Sequence, residues 1–358
     1  MACSIFFLIF SLVSLLLMSK LLLGAAILQA NGCPQQCGNH SKLFVFGDSY
    51  ADTGNLGQRL GRNIARSWFP PYGMSFPHKP TGRFSDGRVL TDFVASSMRI
   101  GSPVPYRMRR APGASQLASY GMNFAVAGSG VFDTGNFQRN LALQIDQFES
   151  QIDSGVFSGC DVRASAALVA VSGNDYLHLA QRDPHYLLHL DRFMSALFAE
   201  LKRDLKRLER LGVARVMVTN LHPVGCTPYY TRPTNYTRCS ADVSSAVAEH
   251  NRRLRELMSE LGRGGAASSF IGLDVHGAIS SLLRREKFGK PLAPCCESRG
   301  EGGSCGQVDE EGKEVYRVCG RPEEHLYWDA VHPTQAAWAA AFEFLRLPVQ
   351  NNSKCPGH

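Results

Sequence analysis

The segment Leu43-Phe-Val-Phe46 runs directly into Gly47-Asp-Ser49, so a short apolar run ends in a glycine turn and polar residues. Similar apolar runs recur along the chain at 167–171, 213–218 and 269–273. Segments with apolar residues at helical spacing lie between them. Continuous apolar runs of this length are typical of strands buried on both faces of a parallel sheet. The alternation of the two patterns predicts a doubly wound α/β sheet.

Three long segments carry the helical pattern. Apolar residues three or four apart extend from Leu190 to Leu208, and Gly212 ends this segment. A second helix is predicted over 240–261, and a last one begins at Pro333. In a doubly wound sheet the functional site lies beyond the carboxyl ends of the strands. We therefore expect the polar residues that follow the apolar runs to gather there.

The composition is that of a globular protein. Of 358 residues, 44% are hydrophobic and 19% are charged, which excludes a disordered, collagen-like or coiled-coil chain. This length accommodates either one large domain or two smaller ones. The net charge is +7, but Lys and Arg in the basic segment 202–210 alternate with Asp204 and Glu209. That pattern indicates a solvated helix face, so no nucleic-acid partner is predicted.

The first thirty residues form a distinct segment. An apolar stretch from Ile5 to Leu28 leads into small residues before Gly32 and Cys33. This pattern predicts a signal peptide over residues 1–30, with 31–358 as the mature chain. The same stretch is long enough to span a bilayer, so an uncleaved anchor is the alternative.

Cysteine content and sequons also point outside the cytosol. Removal of residues 1–30 leaves ten of the eleven cysteines, an even number that suits disulfides in the secretory pathway. Asn-x-Ser/Thr sequons begin at Asn39, Asn235 and Asn351. We therefore predict secretion, with these three asparagines as glycosylation sites.

Six cysteines are candidates for disulfides near the C-terminal half. Cys226 and Cys239 flank a short loop and form one candidate pair. Four more crowd a Gly- and Glu-rich stretch: Cys295, Cys296, Cys305 and Cys319. Adjacent cysteines in a secreted chain favour disulfides over a zinc cluster, so no metal is predicted. Cys160 has no evident partner, and the connectivity stays open. We expect the disulfides to hold the loops beside residues 329–332 in place.

Ser49 and a distant Asp–His pair have the chemistry of nucleophilic catalysis. Ser49 follows a buried-type strand by two residues, which places its hydroxyl at the carboxyl edge of the sheet. A serine becomes a nucleophile when a base removes its proton. Asp329 precedes His332 by three residues and can hold the imidazole so that Nε2 accepts that proton. The alternative is a helix-capping serine and a surface histidine.

Two other segments offer donors for an oxyanion. The stretch 121–130 holds small residues whose backbone N–H groups can approach a substrate, and Gly128 lies within it. Asn174 follows the apolar run 167–171 and carries an amide. A tetrahedral oxyanion needs two or three aligned donors. The alternative is that both segments are ordinary turns.

Four blocks in this order resemble the GDSL, or SGNH, esterase/lipase family, specifically its secreted plant branch. They are 44–55 around Ser49, 123–128 ending at Gly128, 173–175 around Asn174, and 329–333 with Asp329 and His332. The stretches 81–88 and 220–226 also look like ones shared by that branch. Two residues depart from the usual pattern: Tyr50 replaces the name-giving Leu, and Asp86 stands where Asn is common.

The resemblance implies a fold and a reaction. The fold would be a three-layer α/β/α domain over 31–358 with a central, mostly parallel, flavodoxin-like sheet. Ser49, His332 and Asp329 would form the catalytic triad, with the oxyanion held by the N–H groups of Ser49 and Gly128 and by the Asn174 amide. The protein would then be a secreted carboxylic ester hydrolase of the apoplast or cell wall, working through an acyl-enzyme on Ser49.

Substrate and partners are less defined. The resemblance permits esters of acetylated carbohydrate, lipid or small plant molecules as substrates. No cofactor, metal or obligate protein partner is implied. An acyltransferase, or a carbohydrate- or lipid-binding protein without turnover on the same scaffold, is the alternative function.

Overall fold

The computed structural model describes residues 42–134, 140–263, 269–300 and 303–345. The predicted signal peptide and the sequons at Asn39 and Asn351 lie outside these residues. The described residues all belong to one compact unit. Within them, no helix combines the length and the apolar composition that crossing a membrane requires.

Six parallel strands form the central sheet in the order β2-β3-β1-β4-β5-β6. Their bounds are β1 Leu43–Gly47, β2 Val104–Pro105, β3 Gly121–Asn123, β4 Ala166–Ala170, β5 Arg215–Thr219 and β6 Ser269–Leu273. The four predicted strands are all present, within two residues at either end. The short strands β2 and β3 complete one edge and were not predicted as strands from the sequence. A separate antiparallel pair consists of β7 Cys296–Ser298 and β8 Tyr316–Val318.

Ten α-helices are described. They are α1 Leu90–Ser97, α2 Ala114–Leu117, α3 Leu141–Asp153, α4 Gly159–Arg163, α5 Asn174–Arg182, α6 Tyr186–Arg210, α7 Pro228–Thr231, α8 Ala241–Arg263, α9 Val275–Leu282 and α10 Gln335–Leu345. The prediction that the last helix begins at Pro333 is wrong by two residues. The Thr334 hydroxyl accepts the Ala337 N–H at 3.0 Å, so Thr334 caps the helix from outside its first turn.

Helices cover both faces of the sheet, and β1 shows why. Its residues alternate between faces, so Leu43 and Val45 enter one core and Phe44 and Phe46 enter the other. The first core is completed by α1, α9 and α10, and the second by α3, α6 and α8. Because both faces are covered, β1 has to be apolar throughout. The three-layer α/β/α prediction is confirmed.

Three disulfides are resolved among the predicted cysteines. Cys226 pairs with Cys239, Cys295 with Cys319, and Cys296 with Cys305. Cys160, which had no evident partner in the sequence, is disulfide-bonded as well. Cys295, Cys319 and His325 lie close enough for a metal, but both sulfurs are in the disulfide. They therefore offer no thiolate ligand.

Candidate active site

Ser49 lies in the turn that follows β1, and Gly47 shapes this turn. Gly47 has φ +133°, and a Cβ there would lie 1.9 Å from the carbonyl oxygen of Ala170 in β4. No other residue type fits so close to the neighbouring strand. The amide of Gln144 in α3 brackets the same glycine, accepting its N–H at 2.7 Å and donating to its carbonyl at 2.9 Å. Ser49 is therefore held at the carboxyl edge of the sheet.

The structure brings Ser49, His332 and Asp329 into one hydrogen-bonded chain. Ser49 Oγ lies 2.8 Å from His332 Nε2, and His332 Nδ1 lies 2.8 Å from both carboxylate oxygens of Asp329. An ionised carboxylate can only accept, so Nδ1 carries the imidazole proton. The Nε2 lone pair of the neutral ring then faces the serine hydroxyl. All three residues are more than nine-tenths buried.

Asp329 keeps its charge although it is buried. Burial by itself favours the neutral acid, but the neighbouring His332 and several hydrogen bonds hold the pKa of Asp329 well below its usual range. The donors are the backbone N–H groups of Val331 and His332, at 3.0 and 2.9 Å, and the Tyr72 hydroxyl, at 2.7 Å. Sequence reasoning did not single out Tyr72, which lies 257 residues away along the chain.

The predicted oxyanion donors border the same space. Gly128 and Asn174 line one cavity together with Ser49. Gly128 has φ +86°, and Asn174 is the first residue of α5. The Asn174 amide donates to the Ser129 carbonyl at 2.9 Å and to the Asp48 carboxylate at 3.2 Å. Its orientation is therefore set by two acceptors.

Asp48 connects the ends of β1 and β4 through hydrogen bonds, and this role was not predicted from the sequence. Its carboxylate accepts the Ser172 hydroxyl at 2.7 Å, the Tyr50 N–H at 3.1 Å and the Asn174 amide. Burial raises the pKa of Asp48 to about 6, and the hydrogen bonds from Ser172 act in the opposite direction. An acid directly after a strand looks like any turn residue, so the sequence holds no local signal of this role.

A second buried carboxylate supports the segment that carries Gly128. Asp52 accepts four backbone N–H groups, those of Gly54, Asn55, Leu56 and Ala127. Burial raises its pKa to about 6, against the effect of these bonds. The Asn55 amide donates to the carbonyls of Asn123 and Ala125, at 2.8 and 2.9 Å. These hydrogen bonds connect loop 51–56 to segment 123–128 beside Ser49.

The family follows from sequence comparison. Residues 43–345 match the profile of the GDSL-like Lipase/Acylhydrolase family. This chain belongs to that family. The Arabidopsis thaliana protein GDSL esterase/lipase At5g03610 is 38% identical over 315 residues, covering 86% of each chain. GDSL esterase/lipase At3g09930 of the same plant is also 38% identical over 315 residues, covering 85% of this chain and 87% of its own. The protein is accordingly a GDSL carboxylic ester hydrolase, and its substrates are esters.

Among solved structures, an α/β-hydrolase from the metagenome of Lake Arreo, Spain, called LAE5, covers 88% of the GDSL chain and 100% of its own. The two share 14% sequence identity, with a TM-score of 0.39.

The Asp86 departure from the usual GDSL pattern has a structural role. Its carboxylate accepts the Gln335 N–H at 2.7 Å, at the start of α10. A negative charge is favourable at this end of a helix. Asp86 is 2% exposed, and it does not line the cavity beside Ser49. It therefore fixes the helix that follows His332 and does not contact the site itself.

The cavity of the GDSL enzyme has a volume of about 260 Å³ and extends from Ser49 and His332 to α5, α6 and α8. The part formed by α5, α6, α8 and the segment 221–224 is lined mainly by aliphatic side chains: Leu177, Ala180, Leu190, Leu221, Val224, Val243, Ala246 and Val247. Tyrosines, including Tyr186 and Tyr230, complete this part. Among the described residues that line the cavity there is no acidic side chain, and Arg66 carries the one permanent positive charge. The part of the cavity lined by these aliphatic side chains is called the apolar arm below.

Proposed function

We propose that Ser49, His332 and Asp329 hydrolyse carboxylic esters through an acyl-enzyme. The observation that carries the proposal is the continuous chain of 2.8 Å contacts from Asp329 through His332 to Ser49 Oγ. His332 Nε2 takes the serine proton as Oγ attacks the ester carbonyl carbon. The imidazolium, stabilised by Asp329, then gives that proton to the departing alcohol. A water molecule repeats the sequence on the acyl-enzyme and releases the acid.

The negative charge on the carbonyl oxygen would be held by the N–H groups of Ser49 and Gly128 and by the Asn174 amide. Donors aimed at the developing oxyanion are the largest electrostatic contribution in reactions of this kind. The Asn174 amide reaches Asp48 at 3.2 Å, longer than its 2.9 Å bond to Ser129. We infer that the longer contact gives way to the oxyanion, while the shorter one keeps the amide in place.

Replacement of the nucleophile tests the reaction. Ser49→Ala should abolish release of p-nitrophenol from p-nitrophenyl butyrate, because no Oγ remains to form the acyl-enzyme. A p-nitrophenyl phosphonate should add its phosphonyl group to the wild-type protein, on the peptide containing Ser49, and should leave Ser49→Ala unmodified by mass spectrometry. Equal hydrolysis by the two proteins would remove Ser49 from the mechanism. A wild-type protein that binds esters without turnover would support the binding-protein alternative.

The apolar arm favours an ester with an apolar chain, such as a lipid or small plant ester, over an acetylated carbohydrate. A sugar would leave its hydroxyl groups against aliphatic walls, where their lost hydration is not replaced. Each methylene buried in the arm contributes about 0.8 kcal/mol of binding. We therefore propose an ester chain of several carbons as the preferred substrate.

A chain-length series tests this preference. We expect kcat/KM to rise from p-nitrophenyl acetate to the octanoate in the wild type. Ala246→Trp would fill the arm and should remove this rise while sparing the acetate. Ala248 lies on the same helix at an exposed position, so Ala248→Trp is the matched control. A wild-type preference for acetate, or for acetylated xylan over longer esters, would contradict the proposal.

We also propose that the mature enzyme is one domain, residues 31–358, which is secreted after removal of residues 1–30. Disulfides persist in oxidising compartments, which supports this assignment. Asn235 is exposed, as a glycosylation acceptor has to be. Expression in plant cells, N-terminal sequencing of the exported protein and glycosidase treatment would test the leader and the sequons. Retention of residues 1–30 in a membrane fraction would favour the anchor.

A further inference from the structure

We propose that Tyr50 and His222 are positioning residues that hold the His332 loop against the nucleophile turn. This inference rests on the proposed catalytic roles of Ser49 and His332. Tyr50 directly follows Ser49 in the chain, and its hydroxyl donates to the carbonyl of Val331 at 2.6 Å. Val331 directly precedes His332. One side chain therefore links the two segments that have to meet for proton transfer, although 281 residues separate them.

His222 fixes the direction of this hydrogen bond. Its Nε2 lies 2.8 Å from the Tyr50 hydroxyl oxygen. A phenol has one proton, and the Val331 carbonyl can only accept, so the Tyr50 proton goes to Val331. The Tyr50 oxygen must then accept from His222, which places the imidazole proton on Nε2. The order of donation is His222 to Tyr50 to Val331.

The surroundings keep both groups in these states. Burial lowers the pKa of His222 to about 3, and the neighbouring His276 and His332 act in the same direction. Burial raises the pKa of Tyr50 well above its usual value, so the phenol keeps its proton. His222 Nδ1 is buried with no hydrogen-bond partner among the described residues. A buried acceptor without a partner lowers the stability of the folded state.

The rest of the loop is held from other parts of the chain. The Tyr229 N–H donates to the Ala330 carbonyl at 2.8 Å, and the Trp328 N–H donates to the His332 carbonyl at 2.7 Å. These bonds fix the two neighbouring peptide groups through backbone donors. The link to the nucleophile turn comes from Tyr50, and the Leu usual at this position has no donor to offer.

Tyr50→Phe removes this hydroxyl and keeps the ring. We expect kcat for p-nitrophenyl butyrate to fall by about tenfold, as for loss of a buried hydrogen bond, with KM changed less than about twofold. Phosphonylation of Ser49 should slow by a similar factor, since it uses the same proton transfer. Tyr327→Phe is the matched control, because the buried Tyr327 hydroxyl has no hydrogen-bond partner within the described part of the chain. It should keep the wild-type kcat.

His222 provides a second, independent measurement. His222→Gln retains an N–H donor for Tyr50 and should keep most of kcat, whereas His222→Leu should lose as much as Tyr50→Phe. The double variant Tyr50→Phe/His222→Leu should be no slower than either single one, because both act through the same bond. Circular dichroism and melting curves would show which variants fold. If Tyr50→Phe does not fold, the comparison of His222→Gln with His222→Leu tests the inference without it.

Two results would overturn the inference. One is a Tyr50→Phe protein that melts earlier but keeps the wild-type kcat and phosphonylation rate, which would make Tyr50 structural. The other is equal activity of His222→Gln and His222→Leu. Failure of the proposed function looks different, because wild-type hydrolysis would then be absent or would survive in Ser49→Ala.

Discussion

Asn174 shows how single residues set the geometry of the site. It follows Gly173, which has φ +116°, and so begins α5 with its side chain turned back over the strand ends. The Ser129 carbonyl and the Asp48 carboxylate orient its amide before any substrate is present. Donors that are already oriented need no rearrangement when charge develops on a carbonyl oxygen.

Asn174→Ala should therefore lower kcat for p-nitrophenyl butyrate by about 10²–10³-fold, with little change in KM. The amide would act on the oxyanion of the transition state and not on the neutral ester, which explains the effect on kcat. Asn63→Ala, at an exposed position, is the control and should match the wild type. An unchanged kcat in Asn174→Ala would exclude this amide from the oxyanion hole.

At the scale of elements, the disulfide-linked segment around β7 supports the loop that carries Asp329 and His332. The N–H groups of Cys295 and Cys296 donate to the carbonyls of Tyr327 and Trp328, at 2.9 and 2.6 Å. The chain reaches Asp329 directly after these two residues. The Cys295–Cys319 and Cys296–Cys305 bridges thus fix the strand-like segment against which the Asp–His loop lies.

Cys295→Ser/Cys319→Ser should lower the free energy of unfolding by about 2–4 kcal/mol, because the bridge restricts the unfolded chain. We also expect kcat to fall at temperatures where the variant remains folded, since Asp329 is held less firmly. Urea titration and hydrolysis rates on the same preparation measure the two effects. Loss of stability with an unchanged kcat would show that the bridge does not act on the site.

At the scale of the whole molecule, buried titratable groups set how stability depends on pH. His250 is buried against Tyr176, and burial lowers its pKa from 6.5 to about 3. Asp48 and Asp52 have pKa values raised from 3.8 to about 6. The histidine contributes stability that is present above pH 6.5 and is lost as the pH falls toward 3. The two acids act in the opposite sense, since their contribution is lost as the pH rises through 6.

His250→Gln isolates the first contribution. The contribution of His250 to the wild-type free energy of unfolding falls between pH 6.5 and pH 3. Over this range the histidine is protonated in the unfolded chain, whereas burial keeps it neutral in the folded protein. The variant should lose less stability than the wild type over this range in urea titrations. Asn63→Gln, at an exposed position, changes no titratable group and should keep the wild-type slope. Parallel curves for wild type and His250→Gln would contradict the prediction.

The sequence predicted the elements whose signal is local. An apolar run such as 43–46 is typical of a strand buried on both faces, and β1, β4 and most of β5 are buried in this way. The run at β6 was recognised by the same pattern, but β6 lies at the edge of the sheet and only Leu273 in it is fully buried. Strand β2 has two residues and includes Pro105, and β3 ends in the polar Asn123, so neither has an apolar pattern. Their positions depend on pairing with a neighbour that is distant in the chain.

For the site, residue types and their order named Ser49, Asp329, His332 and Asn174 as candidates, and the resemblance to the GDSL family singled out Gly128. The sequence alone determined the apolar strands, the α/β class and the candidate donors, because each depends on a few neighbouring residues. Only the tertiary structure decided that Tyr72 supports Asp329, that Asp48 orients Asn174 and that Tyr50 reaches Val331. Those contacts join segments far apart in the chain, and a hydrogen bond depends on distance in space, which spacing along a sequence does not contain.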